Sequence, residues 1–185
     1  GSDFNAEVRS FVAVADRVFR SHLAALERRF IAVPLSGGYD SRLIALMCKK
    51  YHPENLLCYT YGREGNPEVR LAQEAAGRLG IPWLNIIYDE SLVSGFLNDS
   101  HFHSYYPYAS ELGSMFFLQD YFAVKYLKAN NLIPSDAVFM PGFSGDWLAG
   151  GHLKPVLSHK SDRSRLIEEI ISDNFIMSRF TAAEK

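Results

Sequence analysis

The chain has 185 residues, of which 48% are hydrophobic and 22% are charged, and its formal net charge is −2. This length and composition are typical of a globular domain with a sizeable core, and the weak charge gives no reason to expect nucleic acid or an anionic membrane as a partner. The sequence contains neither an apolar stretch long enough to span a bilayer nor a signal-peptide pattern, so a cytoplasmic location is expected.

The first part of the sequence predicts helices that alternate with short apolar strands. Apolar residues at helical spacing predict an amphipathic helix over about residues 5–29, expected to pack on the domain that follows. A short apolar run predicts a strand over 31–35, and the residues after it predict a helix over 41–51. A second buried strand is predicted over 55–61.

The alternation continues through the second part. A helix is predicted over 67–79 and is closed by Gly80 at a C-cap position. A strand over 82–88, a helix over about 110–129 and a strand around 137–140 follow. Strands separated by helices predict an α/β fold, a Rossmann-like three-layer sandwich with a mostly parallel sheet and right-handed crossovers.

The most informative motif is Ser-Gly-Gly-Tyr-Asp-Ser at 36–41, which lies between a predicted buried strand and a predicted helix. Backbone N–H groups at a helix N-terminus and glycines without a Cβ are suited to holding phosphates. Ser36 and Ser41 add hydroxyl groups. The negative charge of Asp40 suits a phosphate site only if a divalent cation lies between its carboxylate and the phosphate. The motif therefore predicts binding of a magnesium nucleotide. It is neither a Walker loop nor a dinucleotide-binding fingerprint.

A second glycine-rich segment, 140–152, follows the last predicted strand and contains one carboxylate, Asp146. Alone it is a weak signal, because an aspartate in such a loop is often a turn or cap residue. Since ligands of doubly wound sheets bind at the carboxyl ends of the strands, two such loops are expected to clamp a triphosphate through Mg²⁺. Asp40 and Asp146 are the predicted metal ligands.

Cysteine, histidine and aromatic residues give weaker signals. Cys48 and Cys58 form neither a metal motif nor a disulfide framework, so buried free thiols are expected. His101 and His103 lie in an aromatic-rich stretch within 99–131, and on a strand such a pair would need a third ligand that the sequence does not assign. A packing cluster is the expected role of these aromatic residues, with a substrate pocket as the alternative.

The loop at 36–41 resembles the pyrophosphate loop of the N-type ATP pyrophosphatases, which include asparagine, β-lactam, GMP and NAD synthetases and tRNA-modifying enzymes. Three further features are similar to asparagine synthetases: Tyr61 followed by Gly62, the helix over 67–80 with its Leu-Ala-Gln-Glu-Ala-Ala core, and the glycine-rich segment 141–152. Their order and spacing agree over about residues 31–152. The chain thus resembles the synthetase domain of an asparagine synthetase-like protein.

This resemblance implies an adenine nucleotide alpha hydrolase-like fold and an ATP-dependent, amide-forming ligase of the glutamine-hydrolysing type. In that family a small-molecule carboxylate attacks the α-phosphate of ATP, pyrophosphate leaves, and an amine or ammonia then displaces AMP. Tyr61 is implied to lie beside the adenine, Gly142 near the ribose or α-phosphate, and Mg²⁺ at Asp40 and Asp146. The residues implied to contact ATP are Leu35, Ser36, Gly37, Gly38, Asp40, Ser41, Tyr61, Gly62 and Gly142.

Two positions depart from the family pattern. Phe143 and Trp147 stand where asparagine synthetases have glutamates, and neither side chain can transfer a proton. Aspartate as the substrate is therefore in question, and no catalytic residue is assigned. The alternatives are another ATP pyrophosphatase, either β-lactam synthetase-like or tRNA-modifying, and a degenerate non-catalytic nucleotide-binding domain. A tRNA-modifying enzyme is expected to carry basic patches or cysteine motifs, which the sequence lacks.

The expected organisation is an N-terminal helix over 1–30, a synthetase domain over 31–160 and the start of a C-terminal helical segment over 161–185. The family's glutaminase domain and its downstream pyrophosphate-binding lysine have no counterpart in these residues. The chain is therefore expected to be part of a longer protein and to be inactive alone, with a glutaminase domain elsewhere in the parent chain or in trans. The sequence does not indicate an oligomeric state.

Overall fold

A computed structural model describes residues 3–110, 118–143, 145, 164 and 167. The chain divides into two compact units, residues 1–142 and 143–185, and the elements below lie in the first. The helices are α1 (Phe4–Ala25), α2 (Tyr39–Tyr51), α3 (Glu68–Leu79), α4 (Glu90–Val93), α5 (Ser100–Ser110) and α6 (Leu118–Ala129). The strands are β1 (Ile31–Pro34), β2 (Leu56–Gly62), β3 (Trp83–Ile87) and β4 (Val138–Phe139). A 3₁₀ turn, Phe96–Asn98, precedes α5.

The four strands form one parallel sheet in the order β3-β2-β1-β4. Val33 of β1 lies opposite Cys58 of β2, and Ile31 lies opposite Val138 of β4. The chain thus runs outward from β1 through β2 to β3 and then returns to the other side of β1. The strand order reverses between β1 and β4, which is where ligands bind in open α/β sheets.

Helices cover both faces of the sheet, because alternate strand residues point to opposite sides. On one face, Val33 and Cys58 pack with buried residues of the first three helices, among them Leu23, Ala45 and Ala72. On the other face, buried strand residues pack against α6. The buried members of that second cluster are Ala32, Tyr59, Ile86, Ala123, Leu127 and Ile133. The predicted α/β three-layer sandwich with a parallel sheet is therefore confirmed.

Element ends agree with the sequence signals to within a few residues. The helix predicted over 5–29 ends at Ala25, and Glu27 just after it has a φ of 53°. The helix predicted over 67–79 begins at Glu68 and closes at Gly80, which adopts the left-handed conformation with a φ of 59°. The helix predicted over about 110–129 is described from Leu118, because residues 111–117 lie outside the described part of the chain. No helix in the described residues has the length and apolarity needed to cross a bilayer.

His101 and His103 lie on helix α5, in a stretch for which the sequence predicted no element. The Asp99 side chain accepts a hydrogen bond of 2.9 Å from the His101 N–H and starts this helix. Phe102 between them is buried against Tyr121 and Phe122 of α6. Residues two apart on a helix do not face each other, so the two imidazoles do not converge on one metal ion.

Only some of the aromatic residues around α5 form the expected packing cluster. Phe102 and half-buried Tyr105 belong to it, together with residues of α6 and of the preceding turn. Tyr106 is half exposed and Tyr108 is almost fully exposed. Aromatic composition alone does not show which rings face the core, because this depends on the position of each residue around the helix axis.

Cys48 and Cys58 are buried free thiols, as expected. Burial raises the pKa of Cys48 to about 11 and, with a smaller contribution from Cys48, that of Cys58 to about 12. Because the thiolate is the reactive form, we expect neither cysteine to react with an aromatic disulfide reagent at pH 8 while the chain is folded. In urea both should react, and fast labelling of the native chain would contradict the described burial.

Candidate active site

The loop after β1 is held by a hydroxyl network. The buried Ser41 Oγ accepts a hydrogen bond of 3.0 Å from the Ser36 N–H and lies 2.9 Å from the Ser36 Oγ. The Ser36 Oγ in turn accepts the Gly38 N–H at 3.1 Å. Two serines five residues apart thus close the loop on itself. The network fixes the direction of the backbone N–H groups in this loop.

Helix α2 starts directly from this loop. Gly38 is its N-cap in an extended conformation, and no side chain caps the helix. The first N–H groups of a helix have no acceptor within it and lie at the positive end of its dipole. Asp40 lies in the first turn of α2. The Arg42 Nε donates to the Gly38 carbonyl at 3.0 Å, so Arg42 also fixes this helix start.

Gly37 allows the loop to lie against helix α3. A Cβ at Gly37 would lie 2.9 Å from the Leu71 Cδ1, closer than real Cβ contacts. The close approach therefore requires glycine or a shift of Leu71. Leu71 was not among the predicted site residues, although it begins the Leu-Ala-Gln-Glu-Ala-Ala core that is similar to asparagine synthetases.

Gly142 brings the second loop against the first. It follows β4, the neighbour of β1 in the sheet. A Cβ at Gly142 would lie 2.7 Å from the Ser41 N and 3.0 Å from the Asp40 carbonyl carbon. Both neighbours are backbone atoms, which cannot rotate away as a side chain can. Only glycine permits this approach, so the loops after β1 and β4 meet at the start of α2.

The end of β2 supports the first loop from the other side. The Leu35 N–H donates to the Tyr59 carbonyl at 2.7 Å, and the buried Thr60 Oγ1 donates to the Leu35 carbonyl at 2.7 Å. Thr60 also accepts the Trp83 Nε1–H at 3.0 Å. One hydroxyl thus joins β1, β2 and β3 directly below the loop. This role could not be predicted from the sequence, because the pattern around Thr60 indicates only a residue of a buried strand.

Tyr61 points to the sheet face covered by α6. Its ring stacks on Tyr88, with a centroid distance of 5.3 Å and an interplanar angle of 7°. Its hydroxyl donates to the Asp120 Oδ1. Burial, followed by the bond to Asp120, raises the pKa of Tyr61 far above its usual range. Burial also raises the pKa of Asp120, while the bond from Tyr61 opposes that shift.

The structure brings most of the predicted site residues to one edge of the sheet. Six of them belong to the first loop and the start of α2: Leu35, Ser36, Gly37, Gly38, Asp40 and Ser41. Gly142 touches this group, and Tyr61 and Gly62 end the neighbouring strand β2. Asp146 and Trp147 lie outside the described residues, so the predicted pair of metal ligands is described only at Asp40.

The described residues fit a nucleotide phosphate. Three features that suit an anion lie together at this point. They are the two serine hydroxyl groups, the uncapped start of α2 and the space beside its backbone that a Cβ at Gly142 would fill. The Asp40 carboxylate is an oxygen ligand of the kind that Mg²⁺ prefers. Within the part of the chain that the structure describes, no three His, Cys, Asp or Glu side chains cluster as a metal site.

Comparison with known proteins gives three results. A family model described as asparagine synthase matches residues 20–174. A protein of Acanthamoeba polyphaga mimivirus, whose name reads "Probable asparagine synthetase (glutamine-hydrolyzing)", is 44% identical over 54 residues, which are 29% of this chain and 10% of that protein. The matched segment thus spans about a tenth of the length of this relative.

The fold is also similar to that of a solved structure. An NH3-dependent NAD synthetase from Campylobacter jejuni, in complex with the nitrate ion, aligns with a TM-score of 0.51 at 14% sequence identity. The alignment covers 81% of this chain and 61% of that one. At this identity the similarity concerns the fold alone.

Proposed function

Because the chain belongs to the asparagine synthase family, we propose that it forms the ATP-dependent part of an amide-forming ligase that activates a carboxylate by adenylation. The observation that most directly supports this proposal is the contact of Gly142 with the backbone of Asp40 and Ser41. It joins two loops at the point where the strand order reverses, which is the expected position of a nucleotide site.

The chain's own residues have a clear role in such a reaction. The Ser36 and Ser41 hydroxyls and the first N–H groups of α2 would bind the β- and γ-phosphates of ATP. A carboxylate oxygen of the substrate would form a bond to the α-phosphorus while the bond from that phosphorus to the bridging oxygen of pyrophosphate breaks. The donors at α2 would stabilise the charge that the leaving pyrophosphate gains. An amine or ammonia would then replace AMP on the acyl carbon.

We also propose that Asp40 and Asp146 hold Mg²⁺ against these phosphates. Bound Mg²⁺ would supply charge neutralisation of the triphosphate. Asp40 is suited to this role because it lies in the first turn of α2, at the end of the loop that would hold the phosphates. Tyr61, in this proposal, lies beside the adenine, and Gly142 lies near the ribose or the α-phosphate.

The substrates and the organisation of the whole protein are also proposals. Phe143, where the family pattern has a glutamate, favours a carboxylate other than aspartate. The nitrogen would come from a glutaminase domain elsewhere in the parent chain or in trans, as the name of the mimivirus relative suggests by analogy. The synthetase domain is proposed to occupy residues 31–160, between an N-terminal helix and a C-terminal helical segment, in a cytoplasmic protein.

ATP titration by calorimetry, with and without Mg²⁺, tests the shared premise of nucleotide binding. We expect saturable binding that is stronger with Mg²⁺, and absence of binding by the folded chain would reject the proposal. Pyrophosphate release should then be measured over a panel of amino acids and other carboxylates, for this chain and for the chain extended by its natural flanking residues. Release by the extended chain alone would support the expectation that these 185 residues do not turn over ATP by themselves.

A second candidate is a nucleotide-binding domain without catalytic activity. It is favoured by Phe143, which is half exposed and has no group that can transfer a proton. The two candidates differ in one measurement. ATP binding without pyrophosphate release from any carboxylate, by the extended chain with a glutaminase partner, would favour the second.

Replacing Asp40 with asparagine should weaken ATP binding about tenfold when Mg²⁺ is present, because the amide is a poorer ligand of this cation than a carboxylate. Without Mg²⁺ the affinity should be unchanged or slightly higher. The matched control is Asp136→Asn, since Asp136 precedes β4 at the opposite edge of the sheet and is exposed. An unchanged response of Asp40→Asn to Mg²⁺ would remove Asp40 from the metal site.

A further inference from the structure

A groove between α5 and α6 has a volume of about 530 Å³, which is within the usual range of small-molecule sites. The nucleotide site proposed above does not use it. Its walls are largely apolar and include the rings of Tyr105 and Tyr121, whose centroids are 5.1 Å apart, and the side chain of Val124. Such walls suit an apolar chain or a flat ring system as the body of a ligand.

One end of the groove carries a carboxylate. Asp120 lines the groove and is half-buried in the first turn of α6. Its Oδ1 accepts the Tyr61 hydroxyl at the end of β2. The Asp120 carboxylate can accept further hydrogen bonds, because an ionised carboxylate has about four acceptor sites. This end therefore favours an ammonium group, at the same sheet edge as the phosphate-binding loop.

The other end carries a cation. Lys125 and Lys128 both line the groove. The Lys125 Nζ lies 2.5 Å from the Asp99 Oδ2 and is neutralised by it. Lys128 has no ion-pair partner among the described residues. This end therefore favours an anionic group on the ligand.

The spacing of the two ends sets the length of the ligand. Asp120 and Lys128 are eight residues apart on one helix, which corresponds to about 12 Å along its axis. The amino and carboxylate groups of an α-amino acid are attached to one carbon, so such a compound is much shorter than this spacing. We propose that the groove binds an ω-amino acid, an apolar chain or ring with its ammonium group at Asp120 and its carboxylate at Lys128.

The role of such a compound rests on the proposed function, whereas its binding does not. If ATP activates a carboxylate at the neighbouring strand ends, an amine held at Asp120 lies at the same edge of the sheet as the activated group. The groove would then select an amine that takes the place of ammonia in forming the amide. This site adds a specificity for the nitrogen-bearing substrate that the two glycine-rich loops do not supply.

Calorimetric titration of the chain with 8-aminooctanoate, octylamine and octanoate tests the site. The three probes share an apolar chain and differ in which charged ends they have. We expect 8-aminooctanoate to bind at least about tenfold more tightly than either compound with one charge, because hydrogen bonds to charged groups are among the stronger ones. Failure of 8-aminooctanoate to bind saturably, or equal binding of all three probes, would overturn the proposal.

Four variants locate the binding. Asp120→Asn should remove the advantage of 8-aminooctanoate over octanoate, and Lys128→Gln should remove its advantage over octylamine. Val124→Trp should fill the groove and abolish binding of all three probes. Arg70→Gln is the control, because it removes an exposed cation from α3 on the other face of the sheet. It should leave the affinities for all three probes unchanged. Binding that persists in folded Val124→Trp would place the ligand elsewhere.

ATP titration of the same samples separates this proposal from the proposed function. ATP binding without binding of 8-aminooctanoate overturns the groove alone. Binding of 8-aminooctanoate without ATP binding overturns the nucleotide site alone. Since Asp120 also holds Tyr61, retained ATP binding and an unchanged circular dichroism spectrum in Asp120→Asn show that its loss of amine preference is local.

Discussion

Replacing Gly142 with alanine should lower the affinity for ATP by about 5- to 150-fold. The added Cβ would lie 2.7 Å from the Ser41 N and 3.0 Å from the Asp40 carbonyl carbon. Overpacking of this kind costs about 1–3 kcal/mol, and each 1.4 kcal/mol is a tenfold change in binding. The strain is relieved by moving the loop after β4 away from α2, because the opposing atoms are backbone. That movement separates the two halves of the proposed phosphate site.

The matched control for Gly142→Ala is Gly77→Ala. Gly77 lies inside α3, and a Cβ there would meet no heavy atom within 4 Å. Because alanine favours a helix over glycine by up to about 1 kcal/mol, this variant should be more stable and should bind ATP as the unchanged chain does. Affinity is measured by calorimetry and stability by urea unfolding. If Gly142→Ala binds ATP with unchanged affinity, the contact between the two loops is not part of the nucleotide site.

The part of the site that depends on local sequence could be predicted. A buried strand, two serines, two glycines and the start of a helix lie within eleven consecutive residues, 31–41. Local interactions define the conformation of such a stretch, because the glycines permit the turn and the serine hydroxyls accept hydrogen bonds from its N–H groups. The order of strands and helices likewise indicated a parallel sheet. The structure adds the hydroxyl bond between Ser36 and Ser41 to this picture.

The contacts between distant segments could not be predicted from the residues alone. Gly142 lies 101 positions after Ser41 in the numbering, and only the return of the chain to β4 beside β1 brings them together. Tyr61 was implied to lie beside an adenine, and the sequence did not indicate that its hydroxyl binds Asp120 of α6. Both contacts depend on the order of the strands and on which side of α6 faces the sheet. These are defined only by the complete fold and not by any local segment of the sequence.

The helix that contains His101 and His103 could not be predicted from local composition. Residues 99–110 are rich in aromatic side chains, which favour strands in isolation. The structure places them in α5, where Asp99 caps the helix start and Phe102 is buried against α6. Packing of one buried ring therefore outweighed the intrinsic preference of its neighbours. The same helix forms one wall of the groove for which we propose an ω-amino acid.

Replacing Thr60 with valine should lower the free energy of unfolding by about 2–4 kcal/mol, although the two side chains have nearly the same shape. The buried Thr60 hydroxyl donates to the Leu35 carbonyl at 2.7 Å and accepts the Trp83 Nε1–H at 3.0 Å. Valine would leave both groups without this partner. A buried polar group without a partner costs about 1–3 kcal/mol. The cost at Trp83 is at the low end of this range because that side chain is only partly buried, so the two losses add to about 2–4 kcal/mol.

Thr60→Ser is the control, because it keeps the hydroxyl and loses only a methyl group. Urea unfolding followed by tryptophan fluorescence should show a small loss of stability for serine and a large one for valine. ATP affinity should follow the same order, since the Leu35 carbonyl that Thr60 holds lies one residue before the Ser36 hydroxyl of the proposed phosphate site. Valine and serine variants of equal stability would show that packing, and not this hydroxyl, joins the three strands below the loop.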